Sequence, residues 1–277
     1  MRGSVDFSYA HPTDPKLRRL AIRGLERLTG QPKLRRLYED FRNQPVPDED
    51  FFAAGLRLLD LRLDHDPADL DKIPTTGALV VVANHPFGVV DGCALAALVG
   101  KRRPDYRIVA HGLLGKAPEA AGRILPIDFS TRPDAASRNV AVRRAAIDWL
   151  KQGRAILVFP AGAVSTTPHS FARHAVDERW KPFTARLIQA AATPVLPVRF
   201  SGQNSRLFQV VSQFSLTLRT GLFFNEVQNK IGATIGVSIG DLVPYTALAQ
   251  LPDRQAMADY LRALTYALPE RRLALQN

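Results

Sequence analysis

The sequence predicts an α/β fold: a mixed, mostly parallel sheet flanked by helices, with an N-terminal helical extension. Three observations carry this expectation. From about residue 73 onward, short apolar runs rich in β-branched residues alternate with helical stretches, the pattern of a sheet covered on both faces. The first seventy residues instead show helical periodicity. A hydrophobic content of 46% and a charged content of 23% over 277 residues supply the core of one large α/β domain with an extension, or of two small domains. We place the division at residue 70, with a helical extension over 1–70 and the α/β domain over 71–277.

In the extension, residues 15–29 set Leu17, Leu20, Ala21, Gly24 and Leu28 on one helical stripe, with Arg18, Arg19, Arg23 and Arg27 elsewhere around the helix. Gly30, Gln31 and Pro32 end it. A second helix starts at residues 33–41, and a third spans 48–63 before the acidic stretch at Asp64, Asp66 and Asp69. These basic helices read either as a platform for an anionic membrane surface or as a solvated pair packed on the next domain. Glu26, Glu39 and Asp40 dilute the basic face, and both readings stand. Strands are expected at 78–83, 106–110, 124–127, 155–159, 195–200 and 233–239. Helices are expected at 91–98, 136–151, 183–192, 215–230 and 253–268. Residues 165–180 read as a polar surface loop containing His169 and His174.

A net charge of +11 points to an anionic partner: nucleic acid, an acidic membrane, or an acidic or phosphorylated carrier. No nucleic-acid-binding motif accompanies the charge, so nucleic acid is not expected. The single cysteine, Cys93, excludes an internal disulfide framework and a cysteine-rich zinc site. No apolar run approaches the ~20 residues that span a bilayer, and none follows the first residues as a secretory signal would. No Gly-x-Ser-x-Gly elbow or phosphate loop is present, and His169 and His174 lack metal-site company, so no metal is expected.

The chemistry concentrates at residues 83–92, Ala-Asn-His-Pro-Phe-Gly-Val-Val-Asp-Gly. His85 follows the buried-strand run at 78–83, Gly88 permits a sharp turn, and Asp91 opens the next helix. A histidine oriented by an aspartate at such a corner has the parts of a general base. A satisfied turn histidine beside a helix-capping aspartate fits the residues equally well.

Asn84-His85 followed by Asp91 resembles the His/Asp signature of the glycerolphosphate and lysophospholipid acyltransferase superfamily. Five residues intervene where four are usual, and this Pro-Phe-Gly form is similar to the hemolysin-like and ornithine-lipid acyltransferase branch. Residues 124–128 (Ile-Leu-Pro-Ile-Asp), 159–165 (Phe-Pro-Ala-Gly-Ala-Val-Ser) and 195–198 (Val-Leu-Pro-Val) resemble the second, third and fourth blocks in order, and residues 199–208 again resemble the hemolysin-like branch.

The resemblance implies a glycerolphosphate acyltransferase-like fold. It also implies O-acyl transfer from an acyl carrier protein or coenzyme A thioester to a lyso-lipid hydroxyl, with no bound cofactor. The lyso-lipid is a lyso-aminolipid, such as a lyso-ornithine lipid, or a lysophospholipid. The implied place is cytoplasmic, peripheral on the inner face of the cell membrane. His85 is the implied base and Asp91 its orienter; Asn84, Phe159, Pro160 and Gly162 are assigned to substrate binding. The third block departs from the superfamily at Ala161, Ala163 and Val164, and Val164 stands where many members place an arginine that meets the acceptor phosphate. We therefore expect Arg199 or Arg206 to hold an acidic head group, since a guanidinium binds carboxylate or phosphate bidentately. Structural caps or ion pairs are equally open for both. Arg123 or Arg132 stands in for the arginine missing from the second block. The alternative is a non-catalytic lipid- or acyl-carrier-binding protein on the same fold.

Overall fold

The computed structural model describes residues 8–10, 14–43, 49–112, 114–128, 135–169 and 172–271. Among these, seven strands form one sheet: β1 (Arg62–Asp64), β2 (Leu79–Ala83), β3 (Tyr106–His111), β4 (Ile124–Ile127), β5 (Ala155–Val158), β6 (Val195–Phe200) and β7 (Thr234–Ile239). Their spatial order is β1-β7-β6-β2-β5-β3-β4. Every neighbouring pair is parallel except β6 and β7, which makes the sheet mixed and mostly parallel, as expected. β2 lies between β5 and β6 and is buried along its whole length. Its Leu79, Val81 and Ala83 enter one core and its Val80 and Val82 the other. Two covered faces explain why the run is uninterruptedly apolar rather than alternating.

The helices are α1 (Lys16–Leu28), α2 (Gln31–Asn43), α3 (Phe51–Leu58), α4 (Val89–Gly100), α5 (Pro118–Ala121), α6 (Ala135–Lys151), α7 (Phe183–Ala191), α8 (Arg206–Phe214), α9 (Leu216–Gly221), α10 (Phe223–Gln228), α11 (Tyr245–Leu248) and α12 (Arg254–Ala267). α3 and α4 cover the face of the sheet bearing Leu79 and Val81. α6, α7 and α12 cover the face bearing Val80 and Val82.

Several expectations are corrected. The third helix stops at Leu58 rather than 63, because Asp60 turns into the left-handed region (φ 47°). The N–H of Leu61 then donates to Leu56 O (2.9 Å) and that of Asp60 to Arg57 O (3.0 Å), the paired closure of a Schellman motif. The residues beyond pair with β7 as β1. Phe52, Leu56 and Leu61 share the core of β2 and α4, so packing runs on across the division drawn at residue 70. The helix expected over 215–230 is two helices. It breaks at Gly221, where a Cβ would stand 2.8 Å from that of Leu25, so the glycine lets α1 approach. α8 escaped the sequence reading; Ser205 caps it, its Oγ accepting from the Phe208 N–H (3.2 Å).

α1 packs the reverse of an ordinary amphipathic helix. Its buried residues are Ile22 and Glu26, the latter accepting from Ser8 Oγ and Tyr9 N–H (both 2.7 Å). The leucine stripe faces outward, with Leu17 at 83%, Leu20 at 68% and Leu28 at 86% exposure.

Arg103 ties the amino edge of the sheet together. It is fully buried, grips Asp105 with Nε and Nη2 (2.9 and 2.8 Å), and donates to the carbonyls of Gly77 (2.8 Å) and Gly153 (3.0 Å). A lysine cannot reproduce that fork. Arg103→Lys is expected to destabilise by about 3 kcal/mol, seen as a melting temperature lower by roughly 6–12 °C.

Candidate active site

The site is built where β2 ends at the carboxyl edge of the sheet, a place where open α/β sheets present reactive groups. Asn84 directs the exit. Its Nδ2 donates to the Phe200 carbonyl (2.9 Å) and its Oδ1 accepts from the Phe200 N–H (2.7 Å), so a side-chain amide continues the β2–β6 ladder by one rung. Of the two roles open to Asn84, at the substrate or in the structure of the turn, these bonds favour the second, its amide being spent on the backbone of β6.

Gly88 then reverses the chain at φ 85°, a conformation that a side chain adopts only with strain, and a Cβ there would meet Val164 at 3.1 Å. The turn delivers Asp91 into the first turn of α4, where the helix dipole favours negative charge. Asp91 is fully buried. Its Oδ1 lies 2.9 Å from His85 Nδ1, and its Oδ2 accepts from the Phe87 N–H (2.8 Å). Among the described residues neither Nδ1 nor Oδ1 makes a well-aligned hydrogen bond, so the two face each other as a close contact. The Phe159 ring stacks on the imidazole (4.1 Å between centroids, 24° between planes), fixing its plane. With Nδ1 turned to Asp91, the ring's outer nitrogen, Nε2, is left to act, and the His85 side chain keeps 19% exposure. The geometry accommodates both readings of the pair: Asp91 closes the turn at Phe87 and also faces the imidazole.

The third block buttresses this arrangement through its backbone. Gly162 takes φ 71° and its N–H donates to the Phe159 carbonyl (3.0 Å), while the Pro160 carbonyl accepts from Lys181 N–H (3.1 Å). Ser165 N–H donates to the His85 carbonyl (2.8 Å). Pro160 and Gly162 thus shape the turn behind Phe159.

Sequence reasoning missed Asp177. Its buried carboxylate accepts from the His85 N–H (3.1 Å), the Ser165 hydroxyl and Trp180 Nε1 (2.8 Å). Burial pushes its pKa up, against the pull of those three donors. Residues 165–180 are therefore no plain surface loop: Ser165, Thr167, Asp177 and Trp180 are buried, while His169 and His174 are exposed.

The arginines fall elsewhere than expected. Arg199 points to the α12 side of the sheet, donating to the carbonyls of Tyr266 (2.7 Å) and Leu268 (2.6 Å) and pairing with Glu270. Val198 and Phe200, its neighbours along the strand, enter the other core, so alternation carries Arg199 away from α4. Arg206 is exposed and donates to the Ala172 carbonyl (2.8 Å). Arg123 lies at the opposite edge of the sheet, over the Tyr106 ring and near Asp50. Arg132 lies outside the described residues.

A buried carboxylate beside an imidazole at this edge supplies the parts of a general base. The chain matches the acyltransferase family over residues 10–267, belongs to it, and is an acyltransferase of the glycerolphosphate and lysophospholipid superfamily. It is 25% identical over 260 residues to a lyso-glycine lipid O-acyltransferase of Phocaeicola vulgatus, covering 90% of this chain and 88% of that protein. It is 26% identical over 236 residues to one of Bacteroides thetaiotaomicron, covering 79% of each. Its fold is similar to that of the 1-acyl-sn-glycerophosphate acyltransferase PlsC from Thermotoga maritima, with a TM-score of 0.50 at 16% identity over 90% of this chain and 78% of that one. Family membership sets aside the non-catalytic alternative.

Two predictions follow from the geometry. His85→Ala lowers kcat by about 10²–10⁴-fold with an unchanged melting temperature, and Asp91→Asn costs a similar order. Asp177→Asn turns an amide N–H₂ against the Trp180 N–H and displaces the His85 backbone. Its kcat is expected to fall about 10- to 100-fold, and Trp180→Phe in the same chain should recover part of the loss.

Proposed function

We propose that the protein transfers a fatty acyl chain from an acyl carrier protein or coenzyme A thioester to the hydroxyl of a lyso-aminolipid, working at an anionic membrane surface. The observation that carries this reading is the partly exposed His85 imidazole, 2.9 Å from buried Asp91 and stacked on the ring of Phe159. His85 Nε2 takes the proton of the acceptor hydroxyl as its oxygen attacks the thioester carbonyl. Asp91 stabilises the imidazolium that forms. The tetrahedral intermediate collapses, the C–S bond breaks, and the departing thiolate takes the proton from His85. An ester and a free thiol result, with no covalent enzyme intermediate.

Two observations favour an aminolipid over a lysophospholipid. The curated relatives are named for a lyso-glycine lipid. Ala161, Ala163 and Val164 also offer no cation where the superfamily resemblance implies an arginine on phosphate. An amino-acid head group presents a carboxylate instead. Assays of the purified enzyme are expected to give higher kcat/KM with lyso-glycine or lyso-ornithine lipid than with lysophosphatidate. Preference for lysophosphatidate would reverse the assignment.

The outward stripe of α1 supports the membrane placement. Besides Leu17, Leu20 and Leu28, the helices α8 and α9, the latter packed on α1, expose Leu207, Phe214 and Leu218, and Arg18, Arg23 and Arg27 of α1 are exposed as well. Apolar area with basic neighbours suits the interface of anionic lipid. Replacing Leu17, Leu20 and Leu28 with serine should abolish flotation with phosphatidylglycerol vesicles while sparing the melting temperature, because none of the three is buried.

A further inference from the structure

Three side chains of α8 and α9 converge on the backbone of residues 164–167. Arg219 Nη2 donates to the Val164 carbonyl (3.3 Å), Gln209 Oε1 accepts from the Thr167 N–H (3.0 Å), and Gln213 Nε2 donates to the Thr167 carbonyl (2.6 Å). This backbone adjoins the catalytic histidine, because the next N–H after Val164, that of Ser165, is bonded to the His85 carbonyl. Val164 itself lies against Gly88 of the catalytic turn.

Polar capacity here is unspent. Gln209 Nε2, Thr167 Oγ1 and both ends of the Asn204 amide, two residues before α8, are buried and make no hydrogen bond among the described residues. Half-buried Arg219 has one long backbone bond, to the Val164 carbonyl, and donors beyond it. Among the described residues no carboxylate lies within ion-pair distance of its guanidinium, which stands 5.9 Å from the Phe208 ring centroid. Burial pulls its pKa down, and Glu178 offsets this only at longer range. Buried polar groups in native proteins are ordinarily satisfied, so such a cluster beside a reacting group is explained by a ligand that completes it.

We infer that Arg219, with Gln209 and Thr167 on the same backbone segment, forms the subsite for the anionic head group of the lyso-lipid acceptor. The inference rests on the proposed acyl transfer and deepens it by placing the head group across residues 164–165 from His85. A guanidinium suits a planar carboxylate or a phosphate, and its planar fork gives either a bidentate grip. Arg219 thereby supplies from α9 the cation that the third block lacks at Val164.

The test compares wild type with Arg219→Gln and Arg219→Lys on three acceptors: lyso-glycine lipid, its neutral carboxamide, and lysophosphatidate. For the anionic acceptor that wild type prefers, Arg219→Gln should raise KM about 10- to 100-fold, the factor for one charge-assisted pair. The KM of the carboxamide and of the acyl donor should stay within about twofold. Arg219→Lys, which keeps charge without the fork, should fall between. A loss confined to lysophosphatidate would uphold the subsite while overturning the aminolipid reading. An unchanged KM for both anionic acceptors, or an equal loss on the carboxamide, would overturn the subsite. Melting curves accompany each variant; should Arg219→Gln fail to fold, the same comparison between Arg219→Lys and wild type decides.

Discussion

Asp91 faces two groups while excluded from water, the Phe87 N–H and the His85 ring, and the arrangement of the candidate site depends on that double duty. One oxygen closes the turn by accepting the Phe87 N–H, and the other faces the His85 ring. A buried carboxylate is tolerated only when its lone pairs are occupied, so the same requirement that stabilises the start of α4 also sets the imidazole's orientation. Folding and chemistry are thus not separable at this residue. The backbone of the loop is held independently, from below, by Asp177.

What the sequence disclosed follows from how local each signal is. The five buried residues of β2 and the glycine turn after them are written in consecutive positions, so the sheet's centre and the His85–Asp91 corner were readable. β4 and β6 were readable for the same reason. Asp177 was not, since it meets His85 across ninety-two positions of chain, and nothing in its neighbourhood separates a structural acid from a solvated one. Arg199 was misplaced because motif proximity was used where strand parity decides: a residue between Val198 and Phe200 belongs to the opposite face. β1 was absorbed into a helix because Leu59, Leu61 and Leu63 fit either period until Asp60 breaks the helix.

α1 separates two properties that periodicity alone conflates. The apolar stripe was legible as a stripe, yet its direction was not. Ile22 and Glu26, rather than Leu17, Leu20 and Leu28, face the protein. A buried glutamate closing on Ser8 and Tyr9 holds the inner face, which leaves the outer face available to a different solvent.

Asn84 bears on how relatives of this protein are recognised. The loop bearing His85 is anchored from outside itself by the Asn84 amide on β6, by Asp177 and Ser165 on the His85 backbone, and by the carboxylate of Asp91 on the Phe87 N–H. Between the Phe87 N–H and the start of α4 the chain makes its turn at Gly88, so a change in the number of residues between histidine and aspartate is taken up there. The five-residue interval between His85 and Asp91 is such a case. Interval length is therefore a poor criterion of kinship for this corner. An asparagine before the histidine, matched to a strand end able to receive it, is a criterion with a physical basis.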